Sequence, residues 1–160
     1  MDVNMADQDF MQRAIDVARA GMQRKAGGPF GAVIVKDGVV VGEGSNCVTS
    51  KNDPTAHAEI QAIRFACEKL GTFSLDGTTL YTTCEPCPMC YAAIFWARVD
   101  KVIYASDRKG AARAGFDDNA LWEDVARPWD KRQLASSKVP DTAANTLFNE
   151  WLAMGDKTPY

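Results

Sequence analysis

A single histidine, His57, occurs among the 160 residues of the chain. Zinc motifs that need two histidines, such as H-E-x-x-H or the C2H2 finger, are therefore impossible within one chain. Any metal site must take its other ligands from cysteine or carboxylate. A basic excess is also missing, since 18 Lys and Arg stand against 21 Asp and Glu for a net charge of −3. Sequence-tolerant nucleic-acid binding depends on such an excess, so no nucleic-acid partner is expected. No run of about 20 apolar residues exists, and no transmembrane helix or membrane partner is expected. The first twelve residues carry Asp2, Asp7 and Asp9 and lack an apolar core, so they do not read as a secretory signal. Five cysteines, an odd number, then point to free or metal-bound thiols in a reducing, cytoplasmic setting.

Hydrophobic residues make up 46% of the chain and charged residues 24%, a balance that supports a packed core rather than disorder. The length fits one domain, residues 1–160, with no linker, repeat or low-complexity stretch. Apolar residues recur at helical spacing over residues 7–24, with Asp7 as the candidate N-cap. Asp37-Gly38 between two valine-rich runs predicts a hairpin joining Gly31–Val35 to Val39–Val41. Ser45–Thr55 reads as a polar loop. A helix is expected over Thr55–Leu70, capped by Asp53 with Pro54 at its first position. A strand follows at Thr78–Thr83, then a helix at Met89–Arg98 that is apolar on nearly every side and hence buried. Lys101–Ala105 and Gln133–Val139 are expected strands; Asp118–Ala126 and Asp141–Met154 are expected helices. Strands alternating with helices make an α/β layered sheet.

Two segments carry chemistry: His57-Ala58-Glu59 and Pro86-Cys87-Pro88-Met89-Cys90. Each lies at an expected helix start. Cys87 and Cys90, three apart on a helix, share a face. With His57 they form two thiolates and an imidazole, a good zinc set that leaves the fourth position open for water. Glu59, two residues after His57, would point away from it in mid-helix. At a helix start side chains lean toward the N-terminus, and a glutamate can reach a metal-activated water. Zinc lowers the pKa of such a water to about 7, and a neighbouring carboxylate can carry its proton. This combination suits hydrolysis of a polar C–N bond.

H-x-E paired with P-C-x-x-C is the pattern of the zinc nucleobase deaminases, and the chain resembles the cytidine deaminase-like superfamily. Gly28-Pro29-Phe30-Gly31-Ala32, the run from Asn52 to Glu59, the run from Cys84 to Cys90, and Gly115-Phe116-Asp117-Asp118 are similar to the small zinc guanine deaminases of bacteria. The likeness reaches nearly the whole chain, down to Tyr160. It implies a three-layer α/β/α sandwich with a mixed five-stranded sheet. It also implies one catalytic Zn2+ held by His57, Cys87 and Cys90, with Glu59 as the proton shuttle. Asp118 would bind the purine amino group and assist proton transfer. Asn46, Phe30, Ala58, Trp96 and Tyr160 would form the substrate-binding set. Hydrolysis of guanine to xanthine and ammonia follows, in a homodimer whose C-terminal tails, residues 155–160, are exchanged as lids.

Other readings stand beside these. Cys87 and Cys90 could be a C-x-x-C redox pair. Cys84 could join the trio as a closed Cys3His structural zinc. Phe30 suits a core, and Trp96 a core or an interface. Asp117 and Asp118 suit a helix cap, Asn46 an Asx-turn, and Tyr160 a frayed end. Guanosine, ammeline, cytosine and tRNA adenosine are competing substrates, and a zinc-stabilised scaffold without turnover is the non-enzymatic alternative.

Overall fold

The computed structural model describes residues 4–140 and 143–160. They fall into two compact units, divided after Glu123. The first unit begins with α1 (Met5–Gln23). Its N-cap is Asn4 rather than Asp7. The Asn4 side chain accepts from the Asp7 N–H at 3.0 Å, and Asp7 Oδ2 accepts from the Asn4 N–H at 2.9 Å. This reciprocal box satisfies two N–H groups that have no helical partner. Asp7 Oδ1 is left to accept the Tyr81 hydroxyl at 2.6 Å, and that donor holds the Asp7 carboxyl below the usual range. A capping residue thus also ties α1 to the sheet.

β1 (Gly31–Lys36) and β2 (Val39–Ser45) form the expected hairpin. Asp37 and Gly38 both take positive φ, 49° and 76°, as a two-residue turn between right-twisted strands requires. The polar loop contains one helical turn, α2 (Val48–Lys51). After α3 (Ala58–Leu70), β3 (Thr78–Cys84) pairs antiparallel with β1. α4 (Pro88–Trp96) then crosses over to β4 (Lys101–Ser106), which runs parallel to β3. The sheet order is β2-β1-β3-β4.

Alternation along β1 sorts the core into two. Ala32 and Ile34 face Ala58, Ala62, Leu80 and Ile94, beneath α3 and α4. Val33 and Val35 face Ala14 and Tyr81, beneath α1. The result is a three-layer α/β/α sandwich with a mixed sheet.

That sheet has four strands among the described residues, not the expected five. Residues 133–139 form no strand. Their large apolar residues, Leu134 and Val139, are five positions apart and exposed, so no period of two exists to give the segment a buried face. Ser136-Ser137 between them and Pro140 after them favour an irregular path. The other differences are small. α5 (Arg108–Arg113) was not expected, α6 spans Asn119–Val125, and a 3-10 turn covers Trp129–Lys131. α7 spans Ala144–Ala153; the expected start of that helix, Asp141 and Thr142, lies outside the described residues. Among the described residues no helix is long and apolar enough to cross a membrane.

Gly31 marks the closest approach of α1 to the sheet. A Cβ there would collide with the carbonyl oxygen of Ala14 and the backbone nitrogen of Ala18. Backbone cannot swing aside as a side chain can. Gly31→Ala is therefore expected to lower stability by about 1–3 kcal/mol, read as a lower urea midpoint; an unchanged midpoint would contradict this packing.

Candidate functional site

Two helix starts build the site. α3 begins one residue after His57, which caps it in extended conformation, φ −67° and ψ 158°. The helix does not start at Thr55, because Asp53 closes a tight turn instead. Its Oδ1 accepts the Thr55 N–H at 2.8 Å and the Thr55 hydroxyl at 2.6 Å. Since His57 is outside the helix, the two-residue separation from Glu59 no longer sends them to opposite sides. Cys87 caps α4 in nearly the same geometry, φ −67° and ψ 168°, with Pro88 at the first helical position. Cys90 follows one turn later on the same face.

The ligating atoms of His57, Cys87 and Cys90 all lie within 4.8 Å of one another, the one such trio among the described residues. His57 Nδ1 is 3.6 Å from Cys87 Sγ and 3.5 Å from Cys90 Sγ. The protons are unevenly shared. The Cys90 thiol, with His57 beside it, pulls Cys87 down to about 4 despite burial. The Cys87 sulfur, burial and the nearby Glu59 push Cys90 upward. His57 is raised by its bond to Cys87. The cluster therefore holds one thiolate readily and resists a second. A divalent cation removes that resistance, and one nitrogen with two sulfurs is the donor set zinc prefers. The closed Cys3His alternative is not built: the Cys84 thiol donates to the Asp107 carbonyl at 3.7 Å and stays outside the trio.

Glu59 is 6% exposed. Its Oε2 accepts the Cys90 thiol at 3.4 Å, and its Oε1 accepts the Thr82 hydroxyl at 3.4 Å. Burial raises its carboxyl, and the neighbouring Cys87 charge adds to the effect. An acid in that condition takes and keeps a proton near neutrality more easily than an exposed one.

His57, Glu59 and Cys87 open onto a cavity of about 410 Å³. Asn46, Phe30 and Asp118 line it too. Asn46 is buried, and its Oδ1 accepts the N–H groups of Gly28 at 3.3 Å and Val48 at 3.2 Å. Phe30 meets Phe116 edge to face, ring centroids 4.9 Å apart. Asp118 is raised by burial and by the Cys87 charge, against opposing pulls from Trp122 and Arg108. Ala58 is fully buried in the core and does not line this cavity. Trp96 ends α4, mostly exposed and away from the lining, and Tyr160 belongs to the second unit. Arg108 lines the cavity although a run of Asp107-Arg108-Lys109 reads as solvated charge. Thr49 and Glu85 line it as well, and no sequence motif marks them individually.

Comparison with known proteins agrees with this geometry. Residues 4–106 match the cytidine and deoxycytidylate deaminase zinc-binding region. A guanine deaminase of Bacillus subtilis is 47% identical over 156 residues, 98% of this chain and 100% of that protein. The X-ray structure of guanine deaminase from Bacillus subtilis superposes with a TM-score of 0.93 at 46% identity, covering 99% of each chain. A tRNA-specific adenosine deaminase of Agrobacterium fabrum is 49% identical over 104 residues, 64% of this chain and 68% of that protein.

Substituting Cys87 or Cys90 by serine replaces a soft thiolate with a hydroxyl that zinc does not ionise as readily. Each variant is expected to purify with well below one zinc per chain by elemental analysis. Full occupancy in both would exclude these sulfurs as ligands.

Proposed function

The chain belongs to the cytidine and deoxycytidylate deaminase zinc-binding family, and on that premise we propose that its own substrate is guanine, hydrolysed to xanthine and ammonia. It is a zinc-dependent aminohydrolase of the guanine-deaminase type, with a single catalytic zinc site. The observation that carries the choice of guanine is the reach of the likeness. The likeness to tRNA-specific adenosine deaminases covers 64% of the chain for the Agrobacterium fabrum protein and 74% for that of Bacillus subtilis, whereas the guanine deaminase likeness covers 98%. Asp118 and Phe116, which wall the cavity, lie beyond residue 106, where the family match ends.

The chemistry of the wall fits that base. With its oxygen already taken by two backbone N–H groups, Asn46 offers its NH2 end, which suits the O6 and N7 acceptors of guanine. The Asp118 carboxylate suits the N1 and N2 donors. Phe30 and Phe116 supply apolar walls for a flat ring. A base that leaves these polar groups unpaired is rejected.

His57, Cys87 and Cys90 would hold the zinc, which when bound supplies an activated water and a Lewis acid at the cavity floor. Glu59 takes one proton from the attacking water and passes it to ring N3; it then takes the remaining hydroxyl proton from the tetrahedral C2 and delivers it to the amine, which leaves as ammonia while the C2 carbonyl forms. Asp118 holds the amino group while C2 becomes tetrahedral. Residues 1–160 act as one deaminase domain, with residues 155–160 and Tyr160 as the lid. The working form is a homodimer with exchanged tails. Exposed Tyr91, Phe95 and Trp96 on α4 supply apolar surface for that contact.

Zinc-loaded protein incubated with guanine, guanosine, ammeline, cytosine and adenine is expected to release ammonia from guanine fastest. Release from guanosine but not guanine would displace the proposal, and no release from any of them would favour a scaffold. Glu59→Gln is expected to keep one zinc per chain while kcat falls about 10²–10⁴-fold. Near-normal turnover would remove Glu59 as the shuttle.

A further inference from the structure

Asp118 stands directly before α6, and Trp122 follows it by four positions. The Trp122 N–H of the backbone donates to the Asp118 carbonyl at 3.1 Å. Residues spaced in this way share one helix face, about 5–6 Å apart at Cβ. The indole ring of Trp122 is held from two sides. Tyr91 of α4 lies against it with centroids 6.4 Å apart and planes at 55°. The Arg108 guanidinium of α5 stands 5.9 Å from its centroid.

The indole nitrogen is buried, and no acceptor meets it in good hydrogen-bond geometry. A buried donor without a partner is costly. The Asp118 carboxylate is close enough for this donor to draw it toward the ionised form, and the Arg108 charge acts in the same direction. A cation over the ring also pulls electron density from the indole and strengthens the N–H as a donor.

We propose that Trp122 is a positioning residue for Asp118, closing its indole N–H onto the carboxylate in the loaded site and so fixing how that carboxylate meets the purine donors. The inference rests on the reading of Asp118 given above. Asp118 projects from the end of a loop, immediately before a seven-residue helix. Trp122, wedged between α4 and α5, transfers their rigidity to it. Arg108 bears on the same device from two directions, over the Trp122 ring and by its charge on the Asp118 carboxylate.

The test is a double-mutant cycle on guanine turnover. Trp122→Phe keeps an aromatic ring and removes only the N–H donor. It is expected to lower kcat about tenfold, in the range set by one hydrogen bond to a charged group, while KM changes less than threefold. In an Asp118→Asn background the same change is expected to cost less than twofold, because the group it acts through is gone. Should the phenylalanine variant fold poorly, benzothienylalanine at position 122 keeps the bicyclic ring without the N–H and is expected to behave the same way. An unchanged kcat in the Trp122 variants would overturn the proposal. So would an equal loss in both backgrounds, which is what a purely structural tryptophan would give. If Asp118→Asn alone leaves kcat unchanged, the reading of Asp118 itself falls and the proposal with it. Loss of turnover in Asp118→Asn with none in Trp122→Phe would overturn the positioning role alone.

Discussion

Two sulfurs and an imidazole packed within 4.8 Å oppose one another's ionisation, and a positive charge among them relieves that opposition. Cys87 is drawn toward the thiolate while its sulfur and the burial push Cys90 the other way. The architecture around the trio can be understood as a way to hold this arrangement. Each helix start presents unpaired N–H groups and the positive end of a dipole, which favour thiolate over thiol. Capping by His57 and Cys87 themselves, both extended, turns the side chains out of the helical spiral and toward one point. The sheet supplies the framework. β3 delivers Cys87 at its end, the hairpin and α2 lead to His57, and the parallel return through α4 into β4 keeps both starts at the same edge of the sandwich.

Much of this was legible in the chain. The hairpin could be read from Asp37-Gly38 between valine runs, because few residues tolerate two successive left-handed positions. The metal trio could be read from spacing, since a lone histidine leaves few possible donor sets. What was misread shares a physical cause. Asp7 looks like the N-cap, yet Asn4 takes that place and Asp7 sits one turn in, one oxygen closing the box on the Asn4 N–H and the other accepting Tyr81, 74 positions away. Pro54 looks like the first residue of a helix, but Asp53 spends its carboxylate on Thr55. A short polar side chain has several local partners, and tertiary contacts decide among them. The supposed fifth strand failed for the opposite reason. Its β-propensity was real at single residues, but it had neither alternation nor a neighbour. Arg108 was hidden inside a charged run, and only the fold shows that one of its three residues lines the cavity.

The cavity also separates what is general from what is particular. His57, Glu59, Cys87 and Cys90 lie within residues 4–106 and match the wider family. The wall that contains Phe116 and Asp118 comes from the region after it, carried on the loop between the short helices α5 and α6 rather than on the sheet. The metal trio thus sits on helix starts anchored by the sheet, while this part of the cavity wall sits on a loop that can vary without disturbing the core.

Asn46 has a consequence of its own. Its oxygen is clasped by two main-chain hydrogens, and Gly27 lies so near that any larger residue there would run into it. An ordinary asparagine can rotate by half a turn and exchange acceptor for donor, which makes it a forgiving reader of base edges. Here that freedom is gone. On the proposed reading of Asn46, a purine with an amine where guanine has its keto group would meet hydrogens facing hydrogens. Fidelity on that reading is enforced by bonds the base never touches, and Gly27, where any Cβ would strike both the oxygen and the backbone of Asn46, keeps them closed.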